Sequence, residues 1–78
     1  MKVQILGGGC AKCKKLEQKV RLLNDAHQLN LEFEKVTDIQ EIIKYGIMMT
    51  PGLVINEQVK SFGIIPKDDQ LLNWLKEN

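Results

Sequence analysis

The sequence predicts an α/β fold in which a four-stranded mixed sheet carries helices on both faces. Short apolar strands and segments of helical periodicity follow one another in the order β-α-β-α-β-β-α. The strand–helix–strand start favours a right-handed parallel crossover, and two later strands joined by a tight turn favour an antiparallel hairpin. With 78 residues and no internal linker, the chain has the length of one small domain, residues 1–78.

The first half of the chain predicts a strand, a long helix and an edge strand. Residues 2–6 form a mostly apolar strand that ends at the three glycines 7–9. A helix from about Cys10 to His27 is predicted because apolar residues recur there at helical spacing. Leu31 and Phe33 then alternate with glutamates, a period-two pattern whose charged face suits a sheet edge.

The second half begins with a short helix and a prolyl turn. Thr37 with Gln40, or Asp38 with Glu41, gives a capping pattern, and the helix should end at Gly46. The apolar residues of this helix are Ile39, Ile42 and Ile43.

A hairpin and a final helix complete the predicted order. Residues 53–55 and 59–62 read as strands joined by Asn56-Glu57, although glutamate tolerates positive φ poorly and a longer turn stays open. The last helix opens near Pro66, with acidic residues in its first turn and Lys76 in its last.

The composition and the lengths of the apolar runs argue against binding to nucleic acid or to membranes. Eleven Lys and Arg residues against ten Asp and Glu give a net charge of +1, which provides no field to attract nucleic acid or an anionic membrane. Apolar runs such as residues 53–55 are too short to cross a bilayer. The N-terminus shows no cleavage-like signal sequence, so we expect a cytoplasmic protein, and we expect it to be a monomer.

The two cysteines are placed for reactivity. Cys10 and Cys13 close too small a loop to stabilise a fold, but as neighbours in a first helical turn they can form a disulfide. Cys10 lies beside unpaired backbone N–H groups and the positive end of the helix dipole, which favour the thiolate. We therefore expect Cys10 to attack a partner disulfide and the less exposed Cys13 to resolve the mixed disulfide.

Three lysines follow in or just past that first turn. Lys12, Lys14 and Lys15 stand where the helix dipole disfavours cations. A cationic first turn is favourable if it stabilises an anion there, and Lys12, between the cysteines, is the candidate for stabilising the thiolate. The alternative is that these lysines only solvate an exposed helix face.

Thr50 and Pro51 form a second candidate element. A cis bond before this proline would expose the Thr50 backbone as an edge with which an extended substrate can pair. Base rates alone favour an ordinary trans proline.

These residues resemble the thioredoxin/glutaredoxin superfamily, in particular its small redox-active disulfide proteins of archaea and bacteria. The matching segments are Gly-Cys-Ala-Lys-Cys at 9–13, Thr-Pro-Gly-Leu-Val-Ile-Asn at 50–56, and Gly63. The resemblance implies a cis Pro51 facing the disulfide, and a disulfide reductase without cofactor that a reductase or small thiol recycles. Typical thioredoxins have an aromatic residue where Gly9 stands, and a buried acid in the first strand where Gln4 is the polar residue.

Three other functions stay open. Copper and zinc chaperone modules also place Cys-x-x-Cys between a first strand and helix, but they run β-α-β-β-α-β and end in a strand. A structural zinc site would have only His27 beyond the two cysteines. A third possibility is a non-catalytic protein that delivers or senses redox state by docking to a partner. Separately, Met48 and Met49 could form an apolar rim for a partner protein or could fill a gap in the loop.

Overall fold

The structure is a computed structural model that describes residues 1–7, 9 and 11–76. Its elements follow the predicted order: β1 (Lys2–Leu6), α1 (Ala11–His27), β2 (Glu32–Val36), α2 (Ile39–Lys44), β3 (Gly52–Ile55), β4 (Gln58–Phe62) and α3 (Asp68–Lys76). The predicted helix start at Cys10 lies outside the described residues. Strand β2 begins one residue later and ends two residues later than the period-two pattern of residues 31–34 indicated.

The four strands form one mixed sheet in the order β2-β1-β3-β4. Strand β1 pairs parallel with β2 and antiparallel with β3, and β3 pairs antiparallel with β4. The charged strand β2 is an edge, as predicted, and the apolar strand β3 is central with all four residues buried. The register places Leu6 opposite Gly52, so the end of β1 and the start of β3 meet at one end of the sheet.

Alternation along β1 separates the core into two clusters, one on each face of the sheet. On the first face, Val3 and Ile5 pack with buried residues of α1 and α3. On the second face, Leu6 packs with Val36, Ile42, Ile47 and Val54. Helices therefore cover both faces, which confirms the predicted layers.

Local chemistry explains how α2 begins and ends. Asp38 is the N-cap, and its carboxylate accepts a 2.9 Å hydrogen bond from the Gln40 N–H. At the other end Gly46 has φ +77° and donates its N–H to the Ile43 carbonyl at 2.9 Å. Of the two predicted capping patterns, the structure uses the one that begins at Asp38.

The hairpin turn is the tight form, with two residues. Asn56 and Glu57 have φ +49° and +69°, the signs that a type I′ turn requires. Asn56 also accepts a 3.0 Å hydrogen bond from the Lys2 N–H through Oδ1, and it donates its own N–H to the Lys2 carbonyl at 2.9 Å. These bonds hold the turn against the start of β1.

Among the described residues, no helix combines the length and the apolar character that crossing a membrane demands.

Candidate active site

The turn after β1 brings two distant segments against one glycine. Gly7 has φ +106°, and its N–H donates a 2.8 Å hydrogen bond to the Val36 carbonyl. A Cβ built on Gly7 would lie 2.8 Å from Thr50 Cβ and 3.0 Å from Cys13 Sγ. Both the backbone conformation and the lack of space therefore require glycine here.

Cys13 is the third residue of α1 and faces the core. Its relative exposure is 3%, and its sulfur is disulfide-bonded. This burial agrees with the expectation that Cys13 lies inside the first turn. Cys10, the predicted nucleophile, lies outside the described residues.

Lys12, Lys14 and Lys15 are all exposed on the first turns of α1. The first turn of this helix contains no acidic residue. Within residues 1–7, 9 and 11–76, none of the three lysines forms an ion pair, whereas cations elsewhere do. The paired cations are Lys19, Arg21, Lys35 and Lys44. The positive charge beside Cys13 is thus uncompensated by the described carboxylates.

The Thr50–Pro51 peptide bond is cis, as the family resemblance implies. Pro51 is fully buried and Thr50 is exposed. The Pro51 carbonyl accepts a 2.8 Å hydrogen bond from the N–H of Gly63, which has φ +74°. The segment before β3 is therefore fixed to the end of β4 while Thr50 stays accessible.

An apolar groove continues from Thr50 along α2. It has a volume of about 260 Å³ and is called here the α2 groove. Its lining residues are Ile39, Ile42, Ile43, Ile47, Met48, Met49 and Thr50. Ile39, Ile43 and Met48 are 69%, 65% and 93% exposed. Met48 is therefore a rim residue and does not fill a gap in the loop.

The second face of the sheet carries one buried polar residue, Gln4, at 6% exposure. Its Oε1 accepts a 2.9 Å hydrogen bond from the Tyr45 hydroxyl, and its Nε2 donates a 2.7 Å bond to Glu34. The amide is therefore satisfied on both sides. Glu34, which lies opposite Gln4 in the pairing of β1 with β2, places a carboxylate beside the centre of β1.

The structure brings Cys13, Thr50 and Pro51 together at one end of the sheet, with Lys12 beside Cys13 in α1. The sequence indicated Gly7 only as the boundary of a strand and did not show that Thr50 and Cys13 pack against it. The run of three glycines was the one feature of the sequence that pointed to a close contact there. The α2 groove was also missed. Three isoleucines in one short helix were the signal for that groove, but a pattern of apolar residues does not tell whether a neighbouring element covers them.

The order of the described elements differs from the one expected of a copper or zinc chaperone. Within them, no group of three or more His, Cys, Asp and Glu side chains is placed to hold a metal ion. His27 is exposed in the last turn of α1. The chain continues with α2 after β2, and its last described element is α3, an order that differs from that of the copper and zinc chaperones.

Comparison with known proteins agrees with this architecture. A family model described as a thioredoxin domain matches residues 1–76. A thioredoxin of Methanothermobacter thermautotrophicus is 32% identical over 71 residues, which cover 91% of this chain and 92% of the relative. A thioredoxin of Methanocaldococcus jannaschii is 30% identical over 74 residues, which cover 95% of this chain and 85% of the relative. With its mixed sheet, its helices on both faces and this similarity along nearly its whole length, the chain belongs to the thioredoxin family.

Proposed function

We propose that this chain is a thiol–disulfide oxidoreductase that exchanges disulfides with proteins or small thiols through Cys10 and Cys13. One observation carries the proposal. The buried, disulfide-bonded Cys13 sulfur and the exposed Thr50 pack against the same glycine, Gly7. A resolving sulfur beside an accessible strand edge is the arrangement that thiol exchange with an extended substrate needs.

Cys10 is the proposed nucleophile. It directly precedes α1, whose first described residue is Ala11, and an amino-terminal helix position stabilises a thiolate. Lys12 adds a positive charge in the first turn of α1 that no described carboxylate pairs with. Cys13 is protected from solvent, which suits a sulfur that reacts only with its own neighbour.

The reaction proceeds in two exchanges. The Cys10 thiolate attacks one sulfur of a substrate disulfide, forms a mixed disulfide and releases the other substrate sulfur as a thiolate. The Cys13 thiol gives its proton to water, attacks the Cys10 sulfur and releases the second substrate thiolate. Two electrons pass to the substrate, which takes up two protons to become a dithiol, and the protein is left with a Cys10–Cys13 disulfide.

The partners follow from this chemistry. The exposed Thr50 offers its backbone to the substrate, and the buried cis Pro51 holds that edge in position. A thioredoxin-reductase-like protein or a small thiol supplies two electrons to restore the reduced protein. No cofactor takes part in the exchange itself. A reducing compartment such as the cytoplasm keeps the dithiol available.

The test combines turnover with trapping. The protein is incubated with dithiothreitol and insulin, and the rate at which the insulin disulfides are reduced is compared for wild type, Cys10→Ser and Cys13→Ser. We expect Cys10→Ser to lose the activity and Cys13→Ser to accumulate a mixed disulfide detectable by mass spectrometry. Ala11→Ser, an exposed position between the cysteines, is the control and should keep the wild-type rate.

Two outcomes would contradict the proposal. One is a Cys10→Ser variant that reduces insulin at the wild-type rate. The other is stoichiometric, tight Cu(I) binding by a wild-type protein that has no reductase activity, which would favour the metal-carrying alternative.

A further inference from the structure

We propose that the preferred substrates are protein segments with an apolar side chain on one side of their disulfide and acidic side chains on the other. The apolar side chain occupies the α2 groove, and the acidic side chains face Lys12, Lys14 and Lys15. This inference rests on the proposed function, because it names the substrate class of the same site.

The α2 groove is an apolar surface without charge. None of its seven lining residues carries a charge, and four of them are large apolar side chains at least 60% exposed: Ile39, Ile43, Met48 and Met49. Exposed apolar side chains gathered on one surface mark an interaction site more often than scattered ones do. The groove volume of about 260 Å³ suits one or two apolar side chains of a partner rather than a whole helix.

The lysines supply the opposite chemistry on α1, in the residues next to Cys13. Lys12, Lys14 and Lys15 are exposed, and no described carboxylate pairs with them. Uncompensated charge of one sign favours a partner of the opposite sign and raises the rate of encounter. The whole chain has a net charge of only +1, so this preference is local to the site.

The two surfaces are linked through the Cys13 sulfur. Thr50 lines the end of the α2 groove and packs with the Cys13 sulfur against Gly7. Cys13 itself lies between Lys12 and Lys14 in α1. An extended partner segment advances about 3.3 Å per residue. A partner segment that leaves the groove and passes Thr50 therefore comes next to Cys13, whose neighbours in α1 are Lys12 and Lys14.

The experiment measures kcat/KM for short peptides that each contain one intramolecular disulfide, with dithiothreitol as the reductant. One peptide has leucines on one side of the disulfide and glutamates on the other, and a second replaces the glutamates by lysines. A third replaces the leucines by serines. Each of the three peptides is made twice, with its two flanking segments exchanged between the N-terminal and C-terminal sides of the disulfide. We expect the leucine–glutamate peptide to exceed the leucine–lysine peptide by about tenfold at low salt, and the ratio to fall as salt is added.

Charge is tested with matched triple variants. Lys12, Lys14 and Lys15 are changed together to Gln, and the control changes the equally exposed Lys2, Lys67 and Lys76 to Gln. Both variants lose the same three charges. In the Lys12, Lys14 and Lys15 variant, kcat/KM for the leucine–glutamate peptide should exceed that for the leucine–lysine peptide by about twofold or less. The control variant should keep the wild-type ratio of these two values.

The groove is tested with matched single variants. Ile43→Ser removes an apolar side chain that is 65% exposed in the groove, and Leu22→Ser removes one that is 67% exposed on α1 outside it. Ile43→Ser should reduce kcat/KM for the leucine peptide about fivefold relative to the serine peptide, because it removes part of the apolar surface that a leucine in the groove would contact. Leu22→Ser should not change that ratio.

The outcomes separate this inference from the proposed function. If wild type reduces none of the peptides, the proposed function fails. If it reduces all of them with equal kcat/KM, the oxidoreductase stands and the substrate class is wrong. Sedimentation adds one more outcome: a wild-type dimer that Ile43→Ser converts to a monomer would show that a second copy occupies the groove, and would overturn the inference.

Discussion

Gly7 and Thr50 are in such close contact that a methyl group on Gly7 would come within 2.8 Å of Thr50 Cβ. The two residues are far apart in the chain, yet their contact joins the turn after β1 to the segment before β3. Cys13 packs against the same glycine. Because Gly7 has no side chain, the Cys13 sulfur and Thr50, the proposed substrate edge, can both lie close to its backbone.

Gly7→Ala should destabilise the protein and disturb the site together. Alanine at φ +106° is strained, and its Cβ would also overlap Thr50 and the Cys13 sulfur. We expect the free energy of unfolding to fall by about 3 kcal/mol, from backbone strain plus steric displacement. Urea denaturation of the oxidised protein measures the change.

Two other glycines separate the effect of backbone strain from the effect of steric overlap. Gly46 has φ +77° but open space around its Cβ position, so Gly46→Ala should cost only the backbone strain of about 1 kcal/mol. Gly9 has neither constraint, and Gly9→Ala should change stability by less than about 0.5 kcal/mol. Equal costs for Gly7→Ala and Gly46→Ala would show that the contact with Thr50 and Cys13 is unimportant.

Elements defined by local chemistry were predictable from the sequence. Helix α2 has Asp38 as its N-cap, helix α3 has Asp68 and Asp69 in its first turn, and Gly46 follows the end of α2. The charged face of β2 indicated an edge strand, and β2 is an edge. These features depend on neighbours within a few residues, which the sequence displays directly.

Features that depend on distant contacts were not predictable. The pairing of β1 with β3 and the register shift between Leu53 and Val54 follow from how the strands pack, not from their periodicity. Likewise the pattern of isoleucines in α2 did not reveal that Ile42 alone is buried there. The close approach of Cys13 to Thr50 combines segments that no local rule connects.

The hairpin turn provides a prediction of increased stability. Glu57 has φ +69°, a conformation that is strained for any residue with a Cβ and free of strain for glycine. Glu57→Gly should therefore raise the free energy of unfolding by about 0.5 kcal/mol, the strain relieved being offset in part by the greater chain entropy of glycine. Thermal or urea unfolding measures the gain. Glu57→Ala keeps the strain, and an equal gain from that variant would refute the explanation.

Glu17 should make stability depend on pH in the acid range. A hydrogen bond from Arg21 is the largest cause that lowers the pKa of Glu17 below 4.5. Burial, the second largest cause, raises this pKa, and the hydrogen bond and charge of Lys35 lower it again. The two contacts measure 2.9 Å and 3.2 Å. A carboxyl whose pKa is lower in the folded state stabilises the protein above its unfolded pKa, and this contribution is lost as the pH falls through the folded value.

The measurement compares wild type with Glu17→Gln in urea at several pH values. The wild-type protein should be the more stable at neutral pH, and the difference should shrink as the pH falls below 4.5. Glu57→Gln, at an exposed position without an ion pair among the described residues, is the control. A difference between wild type and Glu17→Gln that stays constant with pH would mean that the ionised carboxylate contributes nothing.

The buried amide of Gln4 gives the last prediction. Tyr45→Phe removes the hydroxyl that donates to Gln4 Oε1 at 2.9 Å and leaves that oxygen buried without this partner. The loss should reduce the free energy of unfolding by about 1–2 kcal/mol. In a Gln4→Met background the oxygen is gone, so Tyr45→Phe should cost much less there, because replacing both partners by apolar groups leaves nothing unsatisfied. Urea denaturation of the four proteins measures this coupling, and an equal cost of Tyr45→Phe in both backgrounds would assign the effect to the packing of the ring instead.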